Sequence, residues 1–210
     1  MTDPGICPDL PLSFGPRSSW LAIQSESTAQ IASELPLRNA QPANWAIGLE
    51  AAETKIFVAP AIAAWSFVIG TTLPYAGASD CLALLVRLST IFQRCQYFAS
   101  EPVTEYHAWS MAERGQVIRA YAYLGERGET LWNIGDMTVQ ERELGFHFYD
   151  ASSSEARDEG YWSRGDLRYP EVADVFTIAG KWSLNPEEIA DMPTTPGIGI
   201  LGDLMPFTKR

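Results

Sequence analysis

The sequence predicts an α+β fold, in which a single domain carries a largely antiparallel sheet with helices on one face. Apolar residues make up 46% of the 210 residues, and 7 Trp, 8 Tyr and 9 Phe are among them, which is enough to bury a sizeable core. Predicted strands and helices follow one another irregularly, unlike the regular alternation of a doubly wound parallel sheet. Three predicted strands over about 105–134, separated by tight turns, indicate an antiparallel meander.

The chain divides into three predicted parts. Residues 1–19 hold four prolines and predict an extended arm without regular structure. Residues 20–192 form the predicted domain, and residues 193–210 are predicted as an irregular tail that is rich in proline and glycine. No internal repeat is visible at the spacing of solenoid units, which is about 20–50 residues.

Composition and capping residues predict the elements in the first half of the domain. Trp20–Gln24 predicts a strand, and Ser25 or Ser27 is suited to cap a helix that runs to Leu35. The segment from there to Pro42 is predicted as a connector. Three strands are predicted next, of which the first is rich in alanine and suits a helical turn as well. They cover residues 44–52, 56–59 and 65–70.

The clearest helical pattern lies at Cys81–Phe92, where apolar residues recur at the spacing of one helix face. Ser79 or Asp80 is the predicted cap of this helix. A strand at 96–100 precedes the meander, whose turns are predicted at residues 113–116 and 125–128.

In the last third of the chain, Thr138 and Glu141 have the spacing of a capping box and predict a short helix. The polar residues 150–169 predict a long loop. A helix is predicted over 170–180, because proline is favoured at a helix start and glycine at its end.

The charge of the chain excludes some classes of partner. Its 15 Lys and Arg against 26 Asp and Glu give a net charge of −11. A protein that grips a phosphate backbone needs a basic face, and an anionic membrane repels an acidic surface. We therefore predict neither a nucleic-acid partner nor a membrane partner. The charge favours cationic ligands or a basic protein partner instead.

Targeting signals and cysteine spacing predict a cytoplasmic protein. The N-terminus lacks the basic start, apolar run and cleavage site of a signal peptide. Cys7, Cys81 and Cys95 lack the spacing of a zinc site and are predicted to be reduced thiols. A disulfide between Cys81 and Cys95 stays open as an alternative.

Motifs for catalysis and cofactor binding are scarce in this sequence. Neither His107 nor His147 lies in a hydrolase or metalloprotease motif. The glycine-rich run at 196–202 has GxGxxG spacing, but no helix of useful length follows to bind a phosphate. The acids within 150–169 do not have EF-hand spacing. We therefore predict no catalytic residue, no metal site and no cofactor.

Negative charge is concentrated late in the chain. Residues 136–191 hold thirteen acids and five bases, whereas residues 1–100 are nearly neutral. Aromatic residues among acids suit a basic partner, because the charges steer the encounter and a ring anchors the complex. A Trp162 that folds onto the core is an equal alternative. The predicted partner-binding residues are Asp150, Glu155, Asp158, Glu159, Tyr161, Trp162 and Asp166.

Six short runs between residues 20 and 190 carry a family resemblance. They are Ile56–Pro60, Trp65–Gly70, Gln96–Phe98, Glu105–Trp109, Arg119–Tyr123 and Trp182–Pro186. In these runs the chain resembles a loosely defined family of small, uncharacterised bacterial proteins. Some members are similar to the cytosolic immunity proteins encoded beside polymorphic or type VI secreted toxins. The resemblance implies an immunity function but no particular site residue.

The leading hypothesis is a cytoplasmic binding protein, not an enzyme, that neutralises a basic toxin domain. The acidic region 136–191 would occlude the positively charged active site of the toxin. One alternative is a small-molecule enzyme with a pocket on the meander, using His107 with Glu105 or Arg119. A second alternative is a non-catalytic subunit of a larger assembly. The oligomeric state is left open.

Overall fold

Residues 6–144 and 147–206 are described by the computed structural model. In these residues the helices are α1 (Thr28–Glu34), α2 (Trp45–Ala51), α3 (Ser79–Phe92), α4 (Val139–Glu143) and α5 (Val172–Trp182). The strands are β1 (Ser18–Ile23), β2 (Leu37–Ala43), β3 (Ile56–Val58), β4 (Ser66–Ile69), β5 (Arg94–Glu101), β6 (Tyr106–Glu113), β7 (Gln116–Leu124), β8 (Glu129–Ile134), β9 (His147–Phe148), β10 (Leu167–Arg168) and β11 (Gly199–Leu204).

Nine of the described strands form one sheet in the order β2-β11-β3-β4-β1-β5-β6-β7-β8. Every neighbouring pair in it is antiparallel. The remaining two, β9 and β10, pair with each other in parallel. The predicted α+β class with a largely antiparallel sheet is thus confirmed.

The predicted meander is also confirmed, as β6, β7 and β8 pair in sequence. Its first turn consists of Arg114 and Gly115, whose φ angles are 47° and 81°. Two consecutive positive φ angles are typical of the type I′ turn, which matches the twist of the flanking strands.

Helices cover both faces of the sheet, so the prediction of helices on one face is wrong. In β1, Leu21 and Ile23 face the cluster that includes α1 and α3, whereas Trp20 and Ala22 face the cluster that includes α2 and α5. Strand side chains alternate between the two faces of a sheet, and both sets are apolar here. Both faces must therefore be shielded from water by packed elements. The side chains beneath α3 include several small ones, namely Ala99, Ala108, Ala112, Ala120 and Ala122.

Two elements of the first half differ from their prediction. The expected connector before Pro42 is strand β2, and the expected strand at 44–52 is helix α2. Asn44 caps α2 by accepting a hydrogen bond from the Ile47 N–H at 3.1 Å. The carboxylate of Asp9 in the arm accepts a second one, from the Trp45 N–H at 2.6 Å. These caps favour a helix over a strand at this alanine-containing segment.

The predicted irregular tail is wrong for residues 199–204, which form β11 and pair with both β2 and β3. A Cβ atom at Gly199 would lie 2.4 Å from the Val58 carbonyl oxygen and 2.5 Å from the Phe57 ring. The glycine at this position thus allows close strand packing. This packing accounts for one glycine of the GxGxxG run.

The arm contains no helix or strand among residues 6–17 and lies against the sheet. Its Phe14 ring contacts Trp20 and Phe67 edge-on, at centroid distances of 5.6 and 5.7 Å.

Among the described residues, no helix is long and apolar enough to span a bilayer.

The thiols differ in their access to solvent. Cys81 and Cys95 are buried, free thiols, so the alternative of a disulfide between them is not realised, and Cys7 is exposed. Burial raises the pKa of both the Cys81 and the Cys95 thiol, which keeps them protonated. A thiol reagent should therefore modify one cysteine per folded chain and all three after denaturation. Rapid modification of two or more in the folded protein would contradict this packing.

Candidate functional site

All seven predicted partner-binding residues lie in residues 147–169, which we call the lobe. Residues 150–169 of the lobe were predicted as a long loop, but they contain β10 and two short 3₁₀ helices, Glu155–Arg157 and Glu159–Ser163, and β9 precedes them. Tyr149, Tyr161 and Leu167 form a small apolar core inside it. The lobe is therefore a packed element that can hold surface side chains in fixed positions.

Tyr161 belongs to this small core, as only 6% of it is exposed. Its hydroxyl oxygen accepts a hydrogen bond from the Asp150 N–H at 2.7 Å, and its ring meets Trp162 edge-on. Tyr161 thus supports the lobe surface from below, although the sequence predicted it as a contact residue.

Four aromatic rings contact one another in a row, which we call the ring series. Tyr123 contacts Tyr169 at 5.5 Å, Tyr169 contacts Tyr149 at 4.4 Å, and Tyr149 stacks on Trp162 at 5.3 Å between centroids. Tyr169 is 50% exposed and Trp162 38%, while the other two rings are buried. The Trp162 indole N–H donates to the Ala156 carbonyl at 3.0 Å. Two exposed rings are thereby held in place by buried ones.

Several of the predicted acids already have partners within the lobe. Arg164 forms ion pairs with Glu155 at 3.0 Å and with Asp166 at 2.6 Å, and its hydrogen bond lowers the pKa of Asp166. Asp158 accepts a hydrogen bond from the Gly160 N–H. Glu159 is exposed and makes no ion pair with another described residue. The lobe alone is therefore less acidic towards a partner than its composition suggests.

The hydrogen bonds of Asp150 tie the lobe to the meander. Burial raises the pKa of the Asp150 carboxyl, but hydrogen bonds from Ser152 and Asn133 together lower it by more. The net shift of this pKa is therefore downward. The Asn133 amide donates to Asp150 at 2.8 Å, and its oxygen accepts from Arg119 at 2.7 Å. The Tyr121 hydroxyl donates to the Tyr149 carbonyl at 2.7 Å. These contacts position the ring series on the sheet.

Arg119 and Glu141 form an ion pair that is 2% and 0% exposed, at 2.8 Å. The Glu141 carboxylate also accepts hydrogen bonds from the Trp109 indole at 2.9 Å and from the Thr138 backbone at 2.8 Å. The predicted capping box of Thr138 and Glu141 is present. We call these contacts of Glu141 with Arg119, Trp109 and Thr138 the clamp, and they fix α4 to β6 and β7. The clamp is connected to the lobe through Asn133, which bonds to both Arg119 and Asp150.

His107 does not meet the residues that the enzyme hypothesis joined to it. Its Nδ1 lies 3.3 Å from the Ser100 hydroxyl, while Arg119 pairs with Glu141, and the Glu105 carboxylate packs against Gly125 in the neighbouring turn. His107 is 4% exposed and Ser100 1%. The pair is closed to solvent, and the geometry does not bring together the catalytic set that the sequence suggested.

The buried His107 predicts a pH dependence of stability. Burial lowers the pKa of His107 below its ordinary value of 6.5, and the charge of Asp174 opposes this only in part. The unfolded chain therefore binds a proton at a higher pH than the folded chain. Stability should be full above about pH 6.5 and fall as the pH drops towards the folded pKa, by at most ~1.4 kcal/mol per pH unit.

Urea unfolding at a series of pH values from 7.5 down to 5 is the measurement that checks this dependence. His107→Asn should flatten the profile between about pH 6.5 and 5, because the group that titrates is gone. The matched control is His147→Asn, which removes the other, exposed histidine. Identical profiles for wild type and His107→Asn would show that the expectation is wrong.

A cleft of about 290 Å³ lies between the arm and α2. Phe14, Leu49 and Ile69 supply apolar lining, and Arg17 and Glu53 supply one charge of each sign. None of the predicted site residues lines it. Within 6–144 and 147–206, no three His, Cys, Asp or Glu side chains are grouped to hold a metal ion.

Comparison with known proteins adds no functional residue. No protein-family model, curated protein or solved structure matches the chain. The resemblance to immunity proteins therefore stays a prediction. Sequence reasoning missed Tyr149 and Tyr169, which belong to the ring series only because β9 and β10 pair.

Proposed function

We propose that this protein binds a basic protein partner through the ring series of the lobe. The observation that carries the proposal is that Tyr169 and Trp162 are exposed by 50% and 38% while their stack is fixed from behind. Large aromatic side chains that are held rigid before binding make strong anchors, because little conformational entropy is lost on association.

The charge of the chain supports a basic partner over an acidic one. The net charge is −11, and the exposed Glu159 of the lobe leaves its carboxylate open to a cation. Complementary charge of this kind accelerates encounter with a basic protein and disfavours acidic competitors.

The specific form of the proposal is neutralisation of a toxin domain in the cytoplasm. Many toxin domains act on anionic substrates, and an active site of that kind needs cationic side chains. The lobe would cover such a site with rings and carboxylates and so keep substrate out. The family resemblance described above supports this form of the proposal.

The experiment is deletion of the gene in its native bacterium, followed by complementation. The deletion strain should become sensitive to a basic toxin of its own kind, and wild-type protein should restore growth. A variant with both Trp162→Ser and Tyr169→Ser should fail to restore it, whereas Ile47→Ser, an equally exposed side chain on α2, should succeed. Undiminished resistance of the deletion strain would reject neutralisation, and a stable complex without inhibition would favour a structural subunit.

A further inference from the structure

An exposed tyrosine lies on the other face of the sheet, at the same end as the ring series. Tyr75 is 45% exposed and stacks on Tyr106 of β6 at 4.2 Å, with 24° between the ring planes. The Tyr106 hydroxyl accepts a hydrogen bond from the Ala76 N–H at 2.8 Å and is 3.1 Å from the Tyr97 hydroxyl. Tyr75 is thus another aromatic side chain that packs against a buried ring and remains partly exposed to solvent.

The two faces meet at a pair of joined turns. The turn between β7 and β8 donates hydrogen bonds from Gly125 N–H to the Glu105 carbonyl and from Glu126 N–H to the Thr104 carbonyl, both at 3.0 Å. The acceptors lie in the turn between β5 and β6, which also contains Val103, a residue that is 74% exposed. The two joined turns, which we call the bridge, therefore connect the ring series on one face of the sheet with Tyr75 and Tyr106 on the other.

Three exposed carboxylates border this bridge. Burial raises the pKa of Tyr75, Arg127 opposes this rise, and Glu129 and Glu126 add to it. Burial also raises the pKa of Tyr123, and Tyr169 and Glu105 add to that rise. Arg127 is the cation in the turn itself. A cationic side chain of a partner would find both aromatic faces and carboxylates here.

We propose that the partner surface continues around the β7–β8 turn to Tyr75, so that a basic protein contacts this end of the sheet on both faces. The inference rests on the proposed function and extends its site. In the sheet, Tyr123 lies on the α5 side and Tyr106 on the α3 side of neighbouring strands. A partner that engages both must present arginine or lysine from two loops or from the two walls of a cleft.

Arginine is the partner residue that fits this surface best. Its planar guanidinium stacks on aromatic rings and pairs with carboxylates at the same time, whereas lysine is a strongly hydrated point charge. The surface offers rings and carboxylates within one region on each face of the turn.

The test uses the full-length, ¹⁵N-labelled protein and hexa-arginine peptide as the probe, followed by amide chemical shifts. The peptide should shift signals of Trp162 and Tyr169 and also those of Tyr75 and Glu129. Tyr75→Ser should weaken binding about threefold and Glu129→Gln about twofold. The control Glu50→Gln removes an exposed carboxylate on α2 and should bind the peptide as wild type does.

The outcomes separate this inference from the proposed function. Shifts at Trp162 and Tyr169, with none at Tyr75 and wild-type affinity for Tyr75→Ser, would overturn the two-face surface and leave the proposed function standing. Shifts at Tyr75 without any at Trp162 and Tyr169 would count against the proposed function instead. Because each spectrum also reports whether the variant is folded, an unfolded variant is replaced by Tyr75→Leu, which keeps an apolar side chain but removes the aromatic face.

Discussion

Replacement of Glu141 by Gln is expected to lower the free energy of unfolding by about 3–5 kcal/mol. The carboxylate is fully buried and balances the charge of Arg119, which is 2% exposed. An amide of the same shape leaves the guanidinium charge uncompensated in a site from which water is excluded. Breaking one half of a buried ion pair therefore costs far more than losing an exposed one.

Urea denaturation followed by tryptophan fluorescence measures this loss. The control is Glu143→Gln, whose carboxylate pairs with Lys181 at the surface and is 55% exposed. That variant should lose no more than about 1 kcal/mol. A double-mutant cycle with Arg119→Met separates the coupling of the pair from its other hydrogen bonds. A loss below about 1 kcal/mol for Glu141→Gln would mean that the clamp does not hold the meander to α4.

Replacement of Trp162 by Ser is expected to weaken the complex with the basic partner by about 2 kcal/mol, or roughly 30-fold. Tyr169→Ser should have a similar effect, because its ring is the other exposed member of the stack. Most of the change should appear in the dissociation rate, since an anchoring ring acts after encounter. Added salt should instead slow association, because it screens the steering charges.

Surface plasmon resonance with the purified partner resolves these rates. Ile47→Ser is the matched control, because Ile47 is 40% exposed, close to the 38% of Trp162, but lies on α2. Equal affinities for Trp162→Ser and Ile47→Ser would remove the ring series from the binding site. The circular dichroism spectra of the variants check that the lobe remains folded.

Local signals in the sequence were sufficient to predict the meander and the capping box. The turn at Arg114 and Gly115 and the spacing of Thr138 and Glu141 depend on a few adjacent residues, and both form as predicted. Strand β11 could not be predicted in this way, because Gly199 is explained only by its contact with Phe57 and Val58, far away in the sequence. Helices α3 and α5 were both predicted, but their placement on opposite faces of the sheet was not, because a helical pattern does not show which face of a sheet the helix covers.

The candidate site was predictable as a region but not as a set of contacts. The composition of 136–191 pointed to rings among acids, and Trp162 is exposed there. Composition does not show that Arg164 forms ion pairs with two of the acids or that Tyr161 lies in the lobe core. Tyr169 joins the ring series through the pairing of β9 with β10, a two-residue contact without a sequence pattern of its own.

The most direct test of partner binding by the ring series is a hydrogen-exchange map of the protein alone and with its purified basic partner. We expect slower amide exchange in the lobe, residues 147–169, and in the turn at 125–128, with little change in α1 and β2. Protection confined to α1, β2 or the arm, with the lobe exchanging as in the free protein, would contradict partner binding by the ring series.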